Sequence, residues 1–114
     1  MRLIRFIIRL LRSGSYKTNK GYIKHRPLYG RSRFEHRKVA EKKLGRRLSR
    51  NEEVHHINGL KDDNRLENLC VLSKKAHFIY HRWYDWYYKN IGAYPKREKQ
   101  LEKLKKLGGI LLSD

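Results

Sequence analysis

Cysteine is nearly absent from this 114-residue chain, Cys70 being the only one. A lone thiol excludes an intramolecular disulfide and any zinc site built on paired CxxC motifs. Between Leu69 and Val71 it reads as a small apolar core residue, and the pattern suits a cytoplasmic, reducing compartment. Acidic residues are scarce too: 11 stand against 29 Lys and Arg, a formal net charge of +18. A compact chain with that surplus repels itself unless a polyanion neutralises it, and the commonest polyanion is nucleic acid. The basic residues run from Arg2 to Lys106, so the charge belongs to the whole chain and not to a tail. Long apolar runs are missing as well. In the segment from Met1 to Arg12 none exceeds three residues, too short for a membrane span or a signal-peptide core.

In that first segment Arg2, Arg5, Arg9 and Arg12 recur every three or four residues, which predicts an amphipathic helix with one basic stripe. It would pack on the domain or a second subunit, or contact DNA; a membrane-surface helix is a third reading. Ser13-Gly14-Ser15 reads as a linker, so 1–15 forms an N-terminal helix and linker. Gly21 to His25 alternates like a strand, and Pro27 to Gly30 supplies a turn. Ser32-Arg33-Phe34-Glu35 has the capping-box pattern and predicts a helix to Leu44, stopped by Gly45, with Phe34, Val39, Ala40 and Leu44 on one face.

Two short strands are predicted next, Glu53 to Ile57 and Leu69 to Leu72, joined by a loop rich in Asn and Asp. Such a loop exceeds what a hairpin needs, and long loops are usually functional. Ser73 is the expected N-cap of a long helix in which Ala76, Ile79, Tyr80, Trp83 and Tyr87 face the core. His77, His81, Tyr84 and Tyr88 share a neighbouring face. After Gly92 and Pro95, a Lys-rich helix presents Leu101, Leu104 and Leu107 on one side and ends at Gly108-Gly109. The main domain is therefore read as 16–92 and the C-terminal helix as 93–114.

The adjacent pair His55-His56 is the chemical focus. Neutral imidazole has a reference pKa of roughly 6.5, which suits a general base near neutral pH, and imidazole also ligates divalent metals. Neighbouring residues on a strand point to opposite faces, so one histidine should face a metal and the other a water. Residue chemistry alone leaves open which does which.

The motifs Val54-His55-His56-Ile57-Asn58-Gly59, Asp63-Asn64-Arg65-Leu66-Glu67-Asn68-Leu69 and Leu72-Ser73-Lys74-Lys75-Ala76-His77 follow one another in order. Together they resemble the HNH endonuclease family. The preceding Glu35-His36-Arg37, Ala40-Glu41, Leu44-Gly45-Arg46 and Leu48 resemble the stretch upstream of the motif in phage-type members. The resemblance covers about Gly21 to His81. It implies an α+β fold with a ββα-metal core of short strands, flanked here by additional basic helices, and a phage or mobile-element origin; the compartment would then be the host cell cytoplasm. It further implies His55 and His77 as metal ligands, His56 as general base, and Asn68 as the residue that braces the loop and orients the base. One divalent ion is implied, magnesium or manganese first; two imidazole ligands shift the preference toward nickel, cobalt, manganese or zinc.

His81, one turn beyond His77, reads equally as a third ligand, a phosphate contact or a partner of the ligands. Asn64 and Arg65 are expected to stabilise the loop. His36 and Arg37 are structural or touch DNA, and His25 is given no role. Lys74, Lys75, Arg82 and the Lys96 to Lys106 helix are available for flanking phosphates, and Tyr84 and Tyr88 for stacking. The function expected is hydrolysis of DNA to 5′-phosphate and 3′-hydroxyl ends, by nicking or by double-strand cutting. No membrane is expected as partner; a homodimer or a packaging or recombination partner is left open. The rival readings are a non-catalytic nucleic-acid-binding module and a basic structural or packaging protein. The first predicts loss of His56 or of a ligand, and all candidate residues are present; the second leaves the clustered His and Asn residues unexplained.

Overall fold

Strands β4 (Glu52–His56) and β5 (Leu69–Ser73) pair antiparallel, with His55 opposite Cys70 and His56 opposite Leu69. The computed structural model to which this pair belongs describes residues 2–5, 7 and 14–114. Before the pair come β1 (Gly14–Lys17), β2 (Ile23–Arg26), β3 (Arg33–Phe34) and helix α1 (Glu35–Leu44). After it come α2 (Lys74–Ile91), α3 (Arg97–Lys106) and β6 (Ile110–Leu111). Two three-stranded antiparallel sheets result, ordered β1-β2-β3 and β4-β5-β6. The protein is thus mixed α+β, with small sheets and several helices.

β5 is covered on both faces, which accounts for its unbroken apolar run. Leu69 and Val71 pack with Ala40, Leu48, Val54 and Leu112 on the side of α1. Cys70 and Leu72 pack with Ala76, Tyr80, Leu104 and Leu111 on the side of α2 and α3. Burial alone pushes the Cys70 thiol up to about 12, so it serves as an apolar filler. Each fully buried Leu or Val of these clusters contributes roughly 1.5–3 kcal/mol.

Helix ends follow local chemistry. Ser73 caps α2 by accepting from the Ala76 N–H at 3.0 Å. α1 stops at Gly45, whose φ of 71° lies in the left-handed region that costs glycine nothing. At the start of α1 the capping box is not formed. Phe34 is the N-cap and makes no side-chain cap, because β3 carries the chain in extended form through Phe34. The Glu35 carboxylate is drawn sideways to other partners, His25 and Asn64.

Three other expectations meet a different outcome. Gly14 and Ser15, read as linker, lie in β1 and pair with Arg26 and His25; Ser13 falls outside the described residues. In α2 Ala76 and Tyr80 are buried and Trp83 partly so, but Ile79 is exposed, since the core contact is narrower than the apolar stripe. The C-terminal segment, read as an appended helix, enters the core through Leu104, Leu111 and Leu112, with β6 on the free edge of β5. Of the predicted N-terminal helix, residues 2–5 and 7 are helical and Leu3, Ile4 and Ile7 exposed; the rest lies outside the described residues. Among the described residues no helix is long and apolar enough to cross a membrane.

Candidate metal centre and general base

The two-residue period of β4 separates its side chains. Glu53 and His55 face α2, whereas Val54 and His56 face α1. His77 and His81, one helical turn apart, present their rings to the α2 side of β4. Nδ1 of His55 lies 3.2 Å from Nε2 of His77, and Nε2 of His81 lies 2.9 Å from the same atom. On its other side His77 Nδ1 meets Glu53 Oε2 at 2.7 Å. A carboxylate accepts, so Nδ1 carries the proton and Nε2 offers a lone pair to the cluster.

One ligand nitrogen from each of His55, His77 and His81 lies within 4.8 Å of the others. In tetrahedral coordination with metal–nitrogen bonds of 2.0–2.1 Å, ligand nitrogens stand about 3.3 Å apart, so the cluster fits one ion with little rearrangement. Burial, followed by the neighbouring His77 and His81, pushes His55 down to about 3. Burial and His77 also lower His81. Both effects keep the rings neutral, the form that binds metal. The His55 ring packs edge-on against Tyr80, centroids 4.6 Å apart, and its Nε2 is buried without a hydrogen-bond partner.

The opposite face holds a separate set. Nε2 of His56 meets Asn64 Oδ1 at 2.7 Å, and Asn64 Nδ2 donates to Glu35 Oε1 at 3.0 Å. His25 Nε2 donates to Glu35 Oε2 at 2.7 Å, and Lys38 Nζ donates to His25 Nδ1 at 3.0 Å. The Asn64 amide, then His25, hold the Glu35 carboxyl below its ordinary value. Burial lowers His56, opposed by the Asn64 bond and by Asp63 and Asp62. His36, edge-on to His56 at 5.1 Å, is driven down to about 4 by burial and then by His56, and so packs as a neutral ring. His55 and His56 nonetheless border one cleft, whose other walls include Tyr22, Lys61, His77 and His81.

The loop between β4 and β5 is tied from within. Asn68, almost wholly buried, accepts from the Asn58 N–H at 2.8 Å and donates to the Asp63 carbonyl at 2.9 Å. Asp63 receives Arg65 through Nε and a terminal nitrogen, both at 2.8 Å, and Asn58 Nδ2 at 2.8 Å. Arg65 first, and Asn58 after it, hold the Asp63 carboxyl far below the usual range.

The structure brings some of the residues singled out in the sequence together and keeps others apart. His55 and His77 come together, and His81 joins them. Arg65, read as a loop residue, pairs with Asp63 within the loop. Asn68 braces the loop but does not touch His56; Asn64, expected only to stabilise the loop, contacts that ring instead. The two residues exchange tasks because Asn68 sits in the 3-10 turn Leu66–Asn68, where its amide is used up by backbone groups. Arg37 points away from the cleft and donates to the carbonyls of Glu52 and Ser49. Lys74, Lys75 and Arg82 are exposed on α2, Arg82 lying over the Phe78 ring. Reasoning from sequence overlooked Glu35, Glu53 and Lys61. Glu53 was within reach, standing two residues before His55 on the same strand face. Lys61 and Glu35 carry no local signal.

No curated protein and no solved structure matches the chain. Residues 33–78 match a family model described as HNH endonuclease. That segment runs from β3 into the first turns of α2 and includes His55, His56, Asn64, Asn68 and His77, while His81 lies just beyond it. Ordered motifs, paired strands followed by a helix, and converging histidines agree with that match: over residues 33–78 the chain is similar to the HNH endonuclease family.

Proposed function

We propose that the protein is a metal-dependent endonuclease that hydrolyses DNA phosphodiester bonds, with His56 as general base and His55, His77 and His81 as ligands of one divalent ion in a ββα-metal core. One observation carries this reading. A single strand sends one neutral imidazole into a three-nitrogen cluster and the next into a separate hydrogen-bonded setting, and both border the same cleft.

The donor set bears on the metal. Three imidazole nitrogens with no carboxylate among them favour zinc, cobalt, nickel or manganese over magnesium, a hard ion that binds oxygen. When bound, the ion supplies Lewis-acid stabilisation of the charge that grows on the phosphate. The chain's own residues do the rest. His56 takes a proton from water through its free ring nitrogen, and the water oxygen bonds to phosphorus. The bond from phosphorus to the 3′ oxygen breaks and that oxygen takes a proton from solvent water, which leaves 5′-phosphate and 3′-hydroxyl ends. Lys61 at the cleft, with Lys74, Lys75 and Arg82 on α2, holds backbone phosphates on either side.

Supercoiled plasmid incubated with the metal-stripped protein and each of Zn²⁺, Co²⁺, Ni²⁺, Mn²⁺ and Mg²⁺ tests this directly. Cleavage should depend on metal, stop with EDTA and favour the transition ions. His56→Ala should lose cleavage by about 10²-fold or more while DNA binding stays unchanged. Cleavage by His56→Ala at the wild-type rate would place the base elsewhere.

A further inference from the structure

We infer that Glu35 is a positioning residue for His56, acting through the Asn64 carboxamide to determine which ring nitrogen is free to take a proton. The inference rests on the reading of His56 as general base, and it adds a residue whose only expected role was to cap a helix.

The chain of contacts runs Lys38, His25, Glu35, Asn64, His56, with distances of 3.0, 2.7, 3.0 and 2.7 Å. The chemistry of two members dictates every donor and acceptor along it. A lysine ammonium only donates, so His25 accepts at Nδ1 and carries its proton on Nε2, which it gives to Glu35. An ionised carboxylate only accepts, so the NH2 end of Asn64 must face Glu35. The carbonyl end of Asn64 therefore faces His56 and accepts from Nε2–H. A neutral imidazole has one ring proton, so Nδ1 of His56 is left with its lone pair.

Without the carboxylate, nothing prevents the Asn64 amide from turning over. Its NH2 would then meet Nε2, the ring proton would move to Nδ1, and the base atom would be occupied. Other candidates do not reach the ring. Asn68 spends its amide on Asn58 and Asp63, and His36 contacts His56 only ring to ring. The arrangement also gives the first sheet and α1 a task in the reaction, since His25 lies in β2 and Glu35 and Lys38 in α1. All of these groups lie on the β4 face opposite His55, so their removal should leave the three-histidine cluster intact.

The test compares Glu35→Ala, Glu35→Gln and Asn64→Ala with the wild type and with His56→Ala, all as full-length chains. Glu35→Ala and Asn64→Ala should lower kcat by about 10- to 100-fold, with KM for DNA and Zn²⁺ affinity unchanged. Glu35→Gln can still accept from Asn64 and should retain more activity than Glu35→Ala; being isosteric, it carries the test if Glu35→Ala does not fold. Proton–nitrogen correlation spectra of metal-free protein labelled at histidine should show His56 as the Nε2–H tautomer in wild type and a mixture in Glu35→Ala. Wild-type kcat and an unchanged tautomer in every Glu35 and Asn64 variant, beside an inactive His56→Ala, would overturn the inference and leave the base assignment standing. Normal cleavage by His56→Ala would overturn the base assignment and the catalytic consequence together. The spectra would then report separately on whether Glu35 sets the ring.

Discussion

Glu53 Oε2 lies 2.7 Å from Nδ1 of His77 and fixes the ring so that its other nitrogen points at His55 and His81. Such outer partners of metal-binding histidines set the tautomer and raise ligand basicity. Glu53→Ala should therefore weaken Zn²⁺ binding by about 10- to 100-fold, as measured by calorimetry or chelator competition. Removing a carboxylate that is itself half exposed should barely change the melting temperature. An unchanged Zn²⁺ affinity would mean that the His77 ring is held by packing alone.

The net charge of +18 makes a second prediction for the proposed DNA substrate. Binding through six or more phosphates should lose at least about 10³-fold in affinity between 50 and 200 mM salt. Lys61→Ala should flatten the slope by about one counterion. Fluorescence anisotropy across a salt series measures both, and a flat dependence would rule out backbone-dominated recognition.

Acid stability depends on the start of β4. Arg46 binds both oxygens of Glu52, at 2.8 and 2.9 Å, and the Ser49 N–H donates to the same carboxylate. Arg46 first, and the Ser49 N–H next, lower the Glu52 carboxyl from its ordinary 4.5 to about 2. Because folding lowers this pKa, the contribution is complete above 4.5 and disappears as pH falls toward 2. Glu52→Gln should cost about 1 kcal/mol at neutral pH, the upper end for a well-aligned surface pair. The difference between the two proteins should close in melts near pH 2; a constant gap across the pH range would assign the loss to something other than charge.

Gly109 is the tightest glycine. A Cβ there would lie 2.7 Å from Cys70 Sγ and 2.8 Å from the Leu104 carbonyl oxygen. The Gly109 N–H donates to that same carbonyl at 2.9 Å, so the backbone cannot retreat without breaking the bond that seats β6. Gly109→Ala should destabilise by about 1–3 kcal/mol, as overpacking does, and a thermal melt would show it. An unchanged melting temperature would mean that β6 can shift away at little cost.

What the sequence determined by itself is local. The spacing of His77 and His81 put them on one helical face, adjacency put His55 and His56 on opposite strand faces, and Ser73, Gly45 and Gly92 marked helix ends. All of these follow from backbone periods and capping chemistry that act over a few residues. The tertiary structure decided what depends on distant partners. Glu35 left its expected capping role because Asn64, 29 residues on, offers its carboxylate an amide donor. Asn64 displaced Asn68 as the partner of the His56 ring, and the C-terminal segment became an edge strand because β5 had an unpaired side. His81 came within reach of His55 only when α2 packed against β4, for a helical face says which residues lie together but not what they meet. The pair His55-His56 was legible from the outset; which setting awaited each ring depended on long-range packing that no local pattern encodes.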